Sequence, residues 1–131
     1  SYVMRQRDMV RKLGYVETIL GRRRVIEGAR SKDRGIAAKA EREAVNSPVQ
    51  GSAADVVRLA MKRLAIDPYL KNEGWKMLLQ IHDELLFQAP KGCDPRMSKY
   101  VEEVMAHPSD QDLLVPLKAP GSCGMSWAEV K

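Results

Sequence analysis

The run Leu78-Leu79-Gln80-Ile81-His82-Asp83-Glu84-Leu85-Leu86-Phe87 reads as two apolar strands joined at a pair of carboxylates. A tight two-residue hairpin normally uses Asn-Gly, Asp-Gly or another glycine-containing pair, because the favoured turns need positive φ. Here Asp83-Glu84 stands at the turn behind His82. Adjacent acids repel each other and gain nothing from core burial, so a local rule is broken where chemistry would benefit. Carboxylates fixed at a strand junction suit a hard divalent cation, which takes oxygen ligands. Apolar strands on both sides predict a stiff tip emerging from a buried sheet. The plain alternative is an exposed acidic turn with no further role. A two-metal site also needs at least one more carboxylate from elsewhere, and the other acids sit mainly on expected helices and loops.

Upstream of the hairpin, Val49, Ala53, Val56, Val57, Ala60, Met61 and Leu64 recur at steps of three and four. That spacing predicts an amphipathic helix ending before Pro68. Asp33 is placed to cap an earlier helix over 35–45, which Ser47-Pro48 interrupts, or Ser47-Pro48 opens the second helix as cap and first position. Nearer the start, Tyr2 to Leu13 is helix-compatible with Val3, Val10 and Leu13 as a sparse apolar face, closed by Gly14. Tyr15 to Leu20 reads as a strand, Gly21 turns the chain, and Arg22 to Ile26 returns beside it. Residues 27–32 form a polar loop. Downstream, Pro95 to Met105 carries Met97, Val101, Val104 and Met105 on one side of a helix. Leu114 to Ala119 reads as a last strand, held at an edge by Pro116. Strands and helices mixed in this order give the α+β class, with no internal repeat.

The chain has 131 residues, 44% hydrophobic and 30% charged, enough for one modest domain with a core. Its net charge of +5 is concentrated early, in Arg5, Arg7, Arg11, Lys12, Arg22, Arg23, Arg24, Arg30, Lys32, Arg34, Lys39 and Arg42. A basic third of this kind suits a polyanion such as nucleic acid, although a solvated cationic surface has the same composition. Cys93 and Cys123 show no CxxC spacing, which argues against zinc, gives no disulfide framework and suits a reducing compartment. No apolar run is long enough to span a membrane, so no membrane partner is expected. The chain begins without an apolar signal segment. His82-Asp83-Glu84-Leu85 spells a retention tag that acts only at a C-terminus.

Arg42, Asn46 and Gln50 are spaced four apart. If the helix continues through Pro48, they form one stripe of hydrogen-bond donors. Every Watson–Crick pair presents acceptors in the minor groove, so such a stripe would sense pair geometry without reading sequence. A polar solvent face gives the same spacing. Arg22, Arg23 and Arg24 follow a glycine turn and suit phosphate contacts, which position a duplex, though arginine triplets also occur on ordinary surfaces. His82 is open to two readings, a satisfied turn histidine or a donor to a nucleic-acid backbone.

Taken together these segments resemble the family A DNA polymerases, the bacterial pol I-like group. The resemblance is carried by the stretch from Gly14 to Arg24, by the stretch from Glu41 to Asp55 with Asn46-Ser47-Pro48-Val49-Gln50-Gly51, and by Leu78 to Leu85, similar to the family's third polymerase motif. Val115-Pro116-Leu117 and Ser126-Trp127 look like the family's closing strand and C-terminus. The resemblance implies a palm-type antiparallel sheet with flanking helices, joined to the later part of the fingers across residues 1–131. It implies that Asp83 is a catalytic metal ligand for Mg²⁺, two ions in the intact enzyme, with Glu84 its acidic neighbour. By the same carry-over His82 and Gln80 lie near the primer end, while Arg42, Asn46 and Gln50 contact the template region and minor groove. Primer-template DNA and deoxynucleoside triphosphates are the implied partners, and DNA replication or repair the implied setting.

Two family features are absent from these residues: the earlier Asp-Tyr-Ser-x-x-Glu motif with its second metal-binding aspartate, and the fingers helix whose lysine and tyrosine grip the nucleotide. The expectation is therefore a C-terminal, incomplete piece of a polymerase whose missing N-terminal polymerase segment acts as a partner, and which incorporates no nucleotide alone. Ala119-Pro120-Gly121-Ser122-Cys123-Gly124 also departs from bacterial members. Two other classes stay open: a non-catalytic duplex-binding module, recognisable by salt-dependent and metal-independent binding, and a metal-dependent nuclease using Asp83 and Glu84. Bacterial cytoplasm, nucleus and organelle are all compatible with the sequence.

Overall fold

In the computed structural model, which describes residues 1–110 and 112–130, the chain divides into two units, Ser1–Asp55 and Val56–Lys131. In the first, the Ser1 hydroxyl accepts from the Met4 amide and caps α1, Tyr2–Leu13. Gly14 ends it at φ 79°, a left-handed conformation in which glycine carries no Cβ penalty. Arg30 Nε donates to the Arg11 carbonyl at 2.6 Å, and its guanidinium also reaches the Lys12 carbonyl, satisfying acceptors that a helix end leaves open. The buried positions of α1 are Gln6 and Val10; Val3 and Leu13, expected on the apolar face, are exposed. Val10 joins the buried core formed with Val16, Ile26, Ala29, Ala40 and Ala44.

β1, Tyr15–Glu17, pairs antiparallel with β2, Arg23–Val25, with Val16 opposite Arg24. The first strand is shorter than expected because Thr18 opens a turn. Gly21 donates to the Thr18 carbonyl and Thr18 to the Arg22 carbonyl, both at 2.9 Å. Asp33 Oδ1 accepts from the amides of Gly35 at 2.7 Å and Ile36 at 3.2 Å, starting α2, Arg34–Ile66. The interruption expected at Ser47-Pro48 does not occur: α2 is a single helix of 33 residues with Pro48 inside it. Proline removes one N–H and strains one turn, at a cost of about 3 kcal/mol. Here Ser47 and Pro48 are both buried, and Ser47 Oγ accepts from Arg24 Nη1 at 2.7 Å, so tertiary contacts offset that cost.

In the second unit, Asp67 caps α3, Pro68–Asn72. β3, Lys76–Ile81, pairs antiparallel with β4, Glu84–Gln88, and α4, Pro95–Ala106, follows with Asp94 as its cap. A four-residue α5, Trp127–Val130, lies near the end. Leu64, Leu70, Met97 and Val101 form the buried core, with Trp75, Leu85, Phe87 and Tyr100 packed against it. The apolar side of α4 is therefore the expected one.

Three expectations fail in this unit. The hairpin does not emerge from a buried sheet: it is two-stranded among the described residues, and Leu78 and Leu79 are 55% and 38% exposed. No strand forms over 114–119, where Leu114 and Val115 are exposed. A strand exists only by pairing, and an apolar run containing Pro116 has no ladder partner there. Cys93 and Cys123 are joined in a disulfide with Cα atoms 6.4 Å apart. Their separation of 30 residues gives no sequence signal for that approach.

Candidate functional site

The β3–β4 register pairs Gln80 with Leu85 and Ile81 with Glu84, so the loop between the strands is His82-Asp83. The carboxylate pair is thus divided: Asp83 stands in the loop, and Glu84 is the first residue of β4. His82 has φ 54°. Histidine is enriched among non-glycine residues that tolerate this region, which explains how a hairpin without glycine closes here. Gln80 Nε2 donates to the His82 carbonyl at 2.8 Å, so its amide braces the turn. His82, Asp83 and Glu84 are all exposed. The base of the hairpin is held by Leu85 and Phe87 against the core, Phe87 lying 6.2 Å from Trp75 between ring centroids.

Among the described residues no three histidine, cysteine, aspartate or glutamate side chains gather closely enough to hold a metal ion. A hard cation needs about six oxygen ligands. Asp83 and Glu84 alone do not supply that number, and the described residues do not make a complete Mg²⁺ site.

In the first unit, the unbroken α2 places Arg42, Asn46 and Gln50 along one helix, all exposed. At 1.5 Å per residue the three span about 12 Å, each turned about 40° from the last. They make no internal hydrogen bond or ion pair among the described residues. Their donors face solvent.

The arginine triplet is not one uniform row. Arg23 donates from Nε to Glu17 at 2.8 Å and lies 4.7 Å over the Tyr15 ring. That hydrogen bond, followed by the charges of Tyr15 and Glu17, raises its pKa above the ordinary arginine value. Arg24 reaches the opposite side of β2, to Ser47. Arg22 Nε donates to Asp55 Oδ1 at 2.8 Å. Several other early basic residues are also engaged internally, Arg7 and Arg11 with Glu41, and Arg30 with the end of α1. The basic third is thus partly a folding device.

Sequence reading missed Thr18, Gly51, Ser52 and Asp55. Thr18 Oγ1 donates to Asp55 Oδ2 at 2.7 Å, and Ser52 Oγ accepts from the Ile19 amide at 2.9 Å. A Cβ on Gly51 would lie 2.8 Å from Thr18 Cγ2, so only glycine allows this approach. A signal existed: at helical spacing Ser52 and Asp55 fall within about 80° of Ala44 on α2, a buried side where an acid needs a partner.

Residues 1–129 match the model of the family described as DNA polymerase family A. The chain is 43% identical to the thermostable DNA polymerase I of Thermus thermophilus, over 92% of this chain and 14% of that protein. It is 44% identical to DNA polymerase I of Bacillus subtilis (strain 168), over 90% of this chain and 13% of that protein. The chain thus spans about one seventh of the length of these relatives. Its fold is similar to the POL domain of Pol1 from M. smegmatis, solved in complex with DNA primer-template and dNTP. The TM-score is 0.77 at 40% identity, covering 89% of this chain and 20% of that one.

Proposed function

The chain belongs to DNA polymerase family A, and on that premise we propose that it forms the palm and adjoining fingers helix of a DNA-directed DNA polymerase. In the intact enzyme, deoxynucleotides are added to a primer 3′ end opposite a template. Asp83 supplies one carboxylate to a divalent metal site completed by donors outside the described residues, and Glu84 adds negative charge beside it. When bound, Mg²⁺ would supply charge stabilisation for phosphoryl transfer. His82 presents its ring at the same turn toward the primer terminus, and Gln80 fixes the turn's backbone. Arg42, Asn46 and Gln50 lie along the minor groove, and Arg22, the first arginine after Gly21, serves a backbone phosphate.

The observation that carries this reading is the exposed aspartate in a two-residue loop whose hairpin base is anchored in a core. On its own the chain binds primer-template without extending it, because its residues include no Asp-Tyr-Ser-x-x-Glu stretch to bring the second aspartate of the family's pattern. Primer extension by a polymerase that carries this chain tests the assignment. Asp83→Asn and Asp83→Ala should both abolish extension while leaving primer-template affinity within a few-fold. Undiminished extension by either variant would remove Asp83 from the site.

A further inference from the structure

The three consecutive arginines are chemically equal in sequence, yet the fold treats Arg22 differently. Arg23 is spread over Tyr15 and bound to Glu17, and Arg24 is spent on Ser47. Arg22 is held by Asp55, an acid only 8% exposed on the buried seam of α2. Burying a carboxylate is costly unless it is fully paired, and a leucine there would cover more apolar area. One Asp55 oxygen accepts from Thr18 Oγ1 at 2.7 Å and the other from Arg22 Nε at 2.8 Å. The Arg22 amide in turn donates to Thr18 Oγ1 at 3.1 Å, closing a ring of hydrogen bonds around the turn.

This ring fixes where the guanidinium goes. Arg22 Nη2 lies 3.4 Å from the carbonyl of Gly51, the residue after the last member of the donor stripe. A Cβ on Gly51 would stand 3.2 Å from that nitrogen, so the helix surface is bare where the arginine lies across it. The Arg22 side chain remains 48% exposed while Asp55 is covered. Arginine has five N–H donors in a planar fork, and two are committed by these contacts. The others are available to an oxyanion beside Gln50.

We infer that Asp55 is a positioning residue that, with Thr18, holds the Arg22 guanidinium ready for a backbone phosphate of the duplex lying along the Arg42–Gln50 face. This rests on the duplex-binding reading proposed above. It also separates Arg22 from its two neighbours, which are committed to the fold.

Salt dependence of primer-template binding distinguishes positioning from mere stability. Each phosphate neutralised contributes about 0.9 to the slope of log K against log salt, whereas a loosened fold lowers affinity without changing that number. Binding of a fluorescent primer-template by the full chain is followed by anisotropy from about 50 to about 200 mM salt, the range over which such slopes are read. Arg22→Gln and Asp55→Asn should each lower the slope by about 0.9, so that wild type loses about 3.5-fold more affinity than either across that range. The double variant should lose no more than Arg22→Gln alone. Circular dichroism checks folding. If Asp55→Asn does not fold, Thr18→Val and Arg22→Gln carry the comparison. Unchanged slopes in folded variants overturn the inference while leaving duplex binding intact; a wild-type chain without salt-dependent binding overturns the duplex reading and this inference together.

Discussion

Removing the Asp67 carboxylate should destabilise the second unit by about 3 kcal/mol, and the structure divides that cost into two parts. Asp67 Oδ1 accepts from the amides of Tyr69 at 2.8 Å and Leu70 at 3.2 Å, the geometry of an N-cap. Losing a cap of this kind costs about 1 kcal/mol. Oδ2 accepts from the half-buried Tyr100 hydroxyl, whose ring lies edge-on to Tyr69 with centroids 5.2 Å apart. A hydrogen bond to a charged acceptor contributes about 1.5–3 kcal/mol. Asp67→Ala loses both, whereas Asp67→Asn keeps an equally good cap through Oδ1 and turns Nδ2, a donor, toward the Tyr100 hydroxyl, which must then accept, costing about 1 kcal/mol. Urea unfolding followed by circular dichroism measures each variant. A cycle of Asp67→Ala with Tyr100→Phe should show coupling of about 1.5 kcal/mol, well above the roughly 0.5 kcal/mol scatter of independent sites. The reasoning fails if asparagine is as damaging as alanine, or if the two substitutions simply add. The outcome bears on the candidate site, because Leu70 beside this cap is 2% exposed and belongs to the core against which Leu85 and Phe87 of the hairpin pack.

Other expectations follow from the same contacts. The hydrogen bond to Asp67, then burial, raises the Tyr100 pKa above its usual value. A raised folded pKa means that its contribution is fully present below the ordinary tyrosine value of about 10 and is lost as pH rises through the folded value. The stability difference between wild type and Tyr100→Phe should accordingly be flat up to about pH 10 and shrink above it, and a difference that grows would contradict the assignment. Gly51→Ala would gain about 1 kcal/mol at an exposed helix position. At 2.8 Å from Thr18 Cγ2 it should instead cost about 1–3 kcal/mol in urea unfolding, and a stabilised variant would refute the close approach. Reducing Cys93–Cys123, which closes a span of 30 residues, should lower stability by about 3.5 kcal/mol in a chain-entropy account. A Cys93→Ser, Cys123→Ser double variant as stable as the oxidised chain would refute that contribution.

Local chemistry was legible from sequence, because caps and turns are settled within a few residues. Gly14 closes α1, Asp33 opens α2, and Pro68 marks the break after Ile66, as the residue types require. The hairpin around residue 82 was also visible, since two apolar strands with nothing but a short polar link have few other ways to pair. Its exact loop was not. The backbone conformation of His82, rather than the acidity of the next two residues, decides that Asp83 turns and Glu84 pairs. Pro48 misled for a related reason: its local penalty is real, but the seam burying Ser47 and Pro48 overrides it.

The sequence by itself determined the α+β class, the opening helix and first hairpin, the β3–β4 hairpin with the helix after it, and membership of a polymerase family, because hydrophobic period, caps and ordered motifs are properties of the chain. Only the tertiary structure decided which arginines are committed and which remain presented. That depends on Glu17, Ser47 and Asp55 arriving within about 3 Å of Arg23, Arg24 and Arg22, hydrogen-bond distances set by folding rather than by spacing. The same holds for Cys93 and Cys123, and for the apolar run at 114–119 that forms no strand. Pairing between distant segments is a matter of geometry, and composition carries no record of it.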